Sequence, residues 1–335
     1  MAAINLWDVM LKRFVVAALC ILGSHLSANA ATFATIDPSG SIQTFAFSIN
    51  DAGSIAGDYR ERNNLQHGFV RAADGTITTF DPPGSNETGA ASINGTGAIA
   101  GYYYGGGNVS HGYERAADGT ISTFDPPGST DTFPAYINSK GWITGSFDGS
   151  DGNEHGFVRA PNGMIRTFDP PGSTATSAAS MNRAGAIAGV YSGSGAFHGY
   201  VRAVDGTYTT FDPPGSIDTS AASIDGAGAI TGYYEDGNYQ IHAYVRAADG
   251  SITTFDPPRS TYTNARDVNA RGAIAGDFSR KGRERGFVRA AGGKIAVFDF
   301  PAAYATYAFG INGKRSVAGY YEDVNGIFHG YVRIP

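Results

Sequence analysis

The sequence predicts an all-β fold, a seven-bladed β-propeller of four-stranded blades, on three observations. A Thr-Phe-Asp-Pro-Pro-Gly-Ser segment beginning at Thr79 returns unchanged from Thr123, Thr167 and Thr210, and as Thr-Phe-Asp-Pro-Pro-Arg-Ser from Thr254. With its degenerate copies this motif sets Asp37, Asp81, Asp125, Asp169, Asp212, Asp256 and Asp299 at intervals of 43 or 44 residues, the period of a propeller blade. Each interval divides into four short runs of β-branched and aromatic residues, separated by Gly, Asn or Pro clusters. Seven such units match a closed propeller.

The elements follow in chain order. Residues 1–30 read as a secretory signal peptide: a basic pair at Lys12-Arg13, an apolar run, and a small-x-small end at Ala28-Asn29-Ala30. A retained membrane anchor is the competing reading, but the apolar run is shorter than the ~20 residues a span needs. Cleavage would remove the single cysteine, Cys20, so no disulfide or thiolate metal site is expected in the mature chain. The chain carries 24 basic against 30 acidic side chains. An acidic protein without a basic run has no electrostatic footprint for nucleic acid.

Residues 31–335 are expected to form one propeller domain. In the second unit the strands are Thr88 to Asn94, Gly97 to Tyr103, His111 to Ala116 and Thr120 to Asp125. The first is assigned to the axis, because its third position is small (Ala46, Ala90, Pro134, Ala178, Ala221, Ala265 and Ala308). The last unit ends after its third strand, whereas the mature chain would begin with a lone fourth strand, Thr32 to Asp37. That N-terminal strand should therefore complete the last blade, and closure leaves no free edge. A monomer is expected.

Third and fourth strands are joined by Ala73-Asp74-Gly75 and its counterparts, including Pro161-Asn162-Gly163. Proline suits the first central position of a type I turn followed by a left-handed glycine, which is the three-residue hairpin. Counting outward from this turn pairs Arg71 with Ile77, Gly68 with Phe80, and His67 with Asp81. The same register pairs His111 with Asp125, His155 with Asp169, His198 with Asp212 and His242 with Asp256. Arg285 replaces histidine opposite Asp299, and His329 faces Asp37 across the closure. No nucleophile accompanies these pairs, so they read as structural staples and no catalytic residue is assigned.

The recurring His-Gly-(Phe/Tyr)-Val-Arg segments, with one His242-Ala243-Tyr244, and the Ile-Asn-x-x-Gly-x-Ile-x-Gly-x-Tyr pattern resemble the HAF-type probable extracellular repeat family over about residues 31–335. The resemblance implies a secreted repeat protein and carries no catalytic residues. It agrees with the leader in pointing to a secreted, periplasmic or extracellular location.

Other recurrent residues read as architecture. The arginine ending each third strand (Arg71, Arg115, Arg159, Arg202, Arg246, Arg289 and Arg333) is expected near the outer rim, bonded to carbonyls or carboxylates. Asn50, Asn94, Asn138, Asn182, Asn269 and Asn312, with Asp225 in the fifth unit, begin turns. The loop Asp148 to Glu154 has oxygen donors at alternate positions but lacks the spacing and terminal glutamate of a calcium loop, so no metal or other cofactor is assigned.

Function, if local, should lie where the repeats differ. Phe45 and Phe47 in the first unit, Arg266 and Asp267 in the sixth, and Tyr307 and Phe309 in the seventh replace small inner-strand residues. Arg259 replaces the motif glycine in the same sector, and Arg60, Arg62, Arg280, Lys281 and Arg283 lie in neighbouring loops. These residues form a candidate ligand site, for an anionic or sugar-like molecule, on three blades that are consecutive in a closed ring; drift of terminal repeats is the plainer alternative. The expectation is a non-catalytic binding propeller for a glycan or a protein. A structural surface protein and a propeller hydrolase or lyase are the alternatives.

Overall fold

A computed structural model describes residues 31–335; the expected leader and Cys20 lie outside them. Thr32–Ile334 build seven four-stranded antiparallel sheets arranged as a seven-bladed propeller. The innermost strands are Ser41–Ile49, Glu87–Ile93, Ser129–Ile137, Ala175–Met181, Ser216–Ile224, Tyr262–Val268 and Ala305–Ile311. One short helical turn, Gly106–Asn108, interrupts the β-structure. The last blade has the order expected of the closure: Thr32–Ile36 pairs with Phe328–Ile334, with Ile36 opposite Gly330.

The blades are held face to face by apolar layers. Ile36 and Val332 of the last blade and Ala318 beside them pack against Ala46, Ile55, Tyr59 and Phe69 of the first. Equivalent layers fill the other blade junctions. Third-to-fourth-strand hairpins follow the expected register, Gly68 facing Phe80 and Arg71 facing Ile77, around Gly75 at φ 99°. Only a residue without Cβ takes that conformation at no steric cost.

Each inner strand carries a bulge. The register skips one residue between Ala46 and Ser48, and likewise between Ala90 and Ser92, Pro134 and Tyr136, Ala178 and Ser180, Ala221 and Ser223, Ala265 and Asp267, and Ala308 and Gly310. The unpaired residue of each skip is thrown out of the ladder. These seven residues, Phe47, Ala91, Ala135, Ala179, Ala222, Arg266 and Phe309, all face the axis.

The bulge also explains the glycine of the second strand. A Cβ at Gly57 would stand 2.0 Å from the carbonyl oxygen of Phe45, and one at Gly189 would stand 2.1 Å from that of Ser177. Gly101, Gly145, Gly232, Gly276 and Gly319 repeat the conflict.

Two polar rings bind the blades near the axis. The Asn50 side-chain amide donates to the Asn94 carbonyl, Asn94 to Asn138, Asn138 to Asn182, Asn269 to Asn312, and Asn312 back to Asn50. Each Oδ1 meanwhile caps its own turn, as Asn50 does for the amide of Ser54. Asp225 caps its turn too, but a carboxylate has no amide to pass on. In the second ring Ser48, Ser92, Ser180 and Ser223 accept hydrogen bonds from the backbone amides of Ile93, Ile137, Ile224 and Val268 in the following blade.

Candidate functional site: the axial cavity

The outer hairpins account for every histidine among the described residues. His67 Nδ1 lies 2.7 Å from Asp81 Oδ2, and His111, His155, His198, His242 and His329 stand in the same relation to Asp125, Asp169, Asp212, Asp256 and Asp37. Arg285 grips Asp299, with Nε 2.9 Å from Oδ1. Neighbours that the spacing did not reveal complete these pairs. A second-strand aromatic lies against each histidine, as Tyr59 does on His67 at 5.4 Å. The buried inner-strand Thr88 donates to Asp81 at 2.6 Å and Thr132 to Asp125 at 2.7 Å. Each of these two aspartates thus joins its own hairpin to the next blade.

The third-strand arginines make the expected bonds, Arg71, Arg115 and Arg246 to the carbonyls of Ala72, Ala116 and Ala247 and Arg159 to the Glu114 carboxylate, and they also make a contact that spacing did not reveal. Arg115 lies 4.9 Å over the ring of Phe80 in the preceding blade, and Arg159, Arg202, Arg246, Arg289 and Arg333 repeat the contact on Phe124, Phe168, Phe211, Phe255 and Phe298. The guanidinium is wedged between blades, because an aromatic face attracts a cation while burying its stem. Arg71 lacks the contact, since Ile36 holds the phenylalanine position in the closing strand.

A cavity of about 810 Å³ occupies the axis. The rest of its lining is mostly small, with Ala91, Ala135, Ala179, Ala222 and the serine ring, broken by Tyr136 at the serine position of blade 3. The wall from blades 6, 7 and 1 is different. Phe47 meets Phe309 edge to face at 5.4 Å, Phe309 lies 5.1 Å from Tyr320, and Tyr320 meets Phe45 at 5.0 Å. The Arg266 guanidinium lies 4.1 Å over Phe309 and is paired with the buried carboxylate of Asp277. Burial works against the charge of Arg266, but the adjoining carboxylate outweighs it and raises the pKa.

Five of the seven proposed ligand residues therefore meet at this wall: Phe45, Phe47, Arg266, Asp267 and Phe309. Asp267 takes the place of a serine in the second ring. It accepts from Ser223 at 2.8 Å and from the amide of Ile311 at 2.9 Å, so it links three blades, and burial raises its pKa. Arg259 and Tyr307 do not line the cavity. Arg259 sits exposed at φ 66° in a corner turn, the conformation that Gly84 takes at φ 82°, and its substitution changes a turn. Tyr307 packs on the Tyr320 ring at 4.9 Å, and of the two only Tyr320 lines the cavity.

The neighbouring basic loop is also partly committed. Arg283 donates to the carbonyls of Tyr304 and Ala303. Arg60 reaches the cavity rim but bonds Gln66 at 3.1 Å and lies 4.0 Å from Glu87. In the loop Asp148 to Glu154, Asp151 accepts from the Asn153 amide and contacts His155. No cluster of three or more His, Cys, Asp or Glu residues that could hold a metal occurs among the described residues.

Spacing did not reveal Asp58, Tyr102 or Tyr233. They reach the cavity from second strands at a position that varies between repeats. Asp58 is 5% exposed, and burial raises its pKa to about 8, against the opposing charge of Arg60 and a hydrogen bond from the Ala90 backbone. Burial also raises Tyr102 and Tyr320 to about 12.

The fold is that of several solved propellers. Virginiamycin B lyase from Staphylococcus aureus superposes with a TM-score of 0.61 at 15% identity, covering 91% of this chain and 99% of the other. A catalytically inactive histidine-to-alanine variant of that lyase, solved with quinupristin, gives 0.63 at 14% identity, with 91% and 100% covered. The BP39L lectin from Burkholderia pseudomallei gives 0.57 at 10% identity, with 87% and 96% covered. No family model and no curated protein matches the chain. At these identities the likeness defines the class, a seven-bladed propeller, and nothing finer.

Proposed function

We propose that this protein is an exported, non-catalytic binding propeller whose axial cavity takes a small ligand with an apolar face and hydroxyl-bearing edges, a sugar above all. The asymmetric cavity carries this reading. Its volume suits a small molecule, and one wall is a continuous aromatic surface of Phe45, Phe47, Phe309 and Tyr320. Aromatic faces pack against the C–H face of a sugar ring, while Gln43, Gln66, Asn264 and the serine hydroxyls offer donors and acceptors. An anionic ligand is less well served than the basic residues suggested, because Asp277 neutralises Arg266 and Arg60 is shared with Glu87.

Lyase and lectin propellers both stand among the structural neighbours, so the fold does not choose between them. The lining does. Each histidine among the described residues is engaged on an outer hairpin and none lines the cavity, which disfavours a histidine-dependent elimination. Export rests on the leader expected at residues 1–30 and on the resemblance of the repeats to an extracellular repeat family.

The test is a glycan array probed with the labelled protein, followed by calorimetry on the best hits. Phe309→Ala and Phe47→Ala should each weaken binding about tenfold or more, since a stacked aromatic contributes roughly 1–3 kcal/mol beyond what alanine retains. Absence of any hit, or hits that both variants retain, would overturn the reading.

A further inference from the structure

The repeats allow one blade junction to be compared with another, and two of them share an acid and a tyrosine. At the junction of blades 6 and 7, Asp277 and Tyr320 flank the cavity; at that of blades 1 and 2, Asp58 and Tyr102 hold the same repeat positions. Asp277 faces Asn264 and Gly286 in its sheet, and Asp58 faces Phe45 and Gly68. The first junction is filled from within. Arg266 projects from the bulge of blade 6, pairs with Asp277, and is covered by Phe309 from the bulge of blade 7.

The second junction lacks a counterpart of Arg266. Its bulge residue is Phe47 where blade 6 has Arg266, and the following blade supplies Gly89 and Ala91 where blade 7 has Tyr307 and Phe309. The carboxyl group keeps its place, almost wholly buried on the cavity wall, and no ion pair is formed to it among the described residues. Arg60, the nearest cation on its own strand, is engaged with Gln66, Asn64 and Glu87. A buried carboxyl without an ion pair is costly to ionise, and this one opens into a volume large enough to admit a partner.

We propose that Asp58 is the anionic pole of a subsite that takes an organic cation, the amine or guanidinium of a ligand, where blade 6 supplies its own Arg266. Phe47 is the aromatic neighbour, the Tyr102 ring, which lies over Gly89, is the polar one, and Ala91 leaves the room that Phe309 fills in blade 7. The proposal rests on the reading of the axial cavity as a ligand site and narrows it to amine-bearing ligands, amino sugars among them.

Ionic binding requires the carboxylate, so affinity rises as Asp58 loses its proton. The groups that face it are Arg60 on its own strand and Glu87, Tyr102 and Tyr113 on blade 2. Arg60 favours the ionised form and Glu87 opposes it.

The probes are agmatine, titrated calorimetrically into the full protein at about pH 6 and about pH 9, and glucosamine set against N-acetylglucosamine at about pH 8, where the sugar amine and the Asp58 carboxyl can both carry charge. Agmatine should bind at least tenfold more tightly at the higher pH, glucosamine should exceed its acetylated form, and Asp58→Asn should abolish both preferences. Carbon-13 NMR of the Asp58 carboxyl in the unaltered protein gives a second readout, because agmatine must shift that resonance. No agmatine binding at the higher pH, binding that Asp58→Asn leaves intact, or an Asp58 resonance that agmatine does not move would overturn the proposal. Neutral-sugar binding lost on Phe309→Ala, together with agmatine binding that is absent or indifferent to Asp58→Asn, would remove the subsite and leave the cavity's sugar reading standing. Agmatine binding sensitive to Asp58→Asn without any glycan hit would do the reverse.

Discussion

Gly189→Ala isolates the packing rule that the seven repeats share. The added Cβ would stand 2.1 Å from the Ser177 carbonyl oxygen and 2.8 Å from the Tyr200 hydroxyl oxygen. Tyr200 is wholly buried, and neither it nor the backbone can yield by a simple rotamer change. Restoring contact distance requires the inner and second strands to part by about 1 Å, which gives up one or two ladder hydrogen bonds at ~1 kcal/mol each and adds ~1–3 kcal/mol of overpacking. Alanine also restricts the unfolded chain, which returns ~0.4–1 kcal/mol. The net loss is therefore roughly 1–5 kcal/mol. Urea unfolding should show a fall in midpoint at unchanged slope, with Gly226→Ala as control, since no atom lies within 4 Å of a Cβ there. A Gly189→Ala protein as stable as the control would refute the conflict between bulge and Cβ as the reason for these glycines.

Two further outcomes follow from the polar groups near the axis. Asp225→Asn supplies the amide missing from the asparagine ring, which should reach the Asn269 carbonyl and raise stability by about 1 kcal/mol, read as a higher unfolding midpoint. Asp58 holds its proton in the folded state up to about pH 8 but releases it near pH 4 when unfolded. Its contribution to stability is therefore lost as pH rises through that window, by a few kcal/mol in total. Asp58→Asn has no such proton to lose, so its stability relative to the unaltered protein should climb between about pH 4 and pH 8. A difference that stays flat over that range would refute the buried, protonated carboxyl.

The repeat made the blade legible because its signals are local. The hairpin register followed from one turn, and it put His67 against Asp81 and Arg285 against Asp299 before any fold was known. The axial wall was partly legible for a related reason: Phe47, Arg266 and Phe309 stood out against alanine at one repeat position. Arg259 and Tyr307 broke the pattern just as visibly, but one changes a turn and the other packs on Tyr320 without lining the cavity. Departure from a repeat marks a difference without saying which way the side chain points.

The sequence alone determined the number of blades, their strand order, the closure by Thr32–Ile36 and the pairing across each outer hairpin, because period, alternation and turn chemistry act over a few residues. Only the tertiary structure decided what faces the axis and what each recurrent polar group serves. A bulge shifts the facing residue by one position, and contacts between blades, such as Arg115 on Phe80, Asn50 to Asn94 and Arg266 against Asp277 under Phe309, depend on how twisted sheets meet. The empty counterpart of that last contact at Asp58 became visible only when two blade junctions could be compared in space.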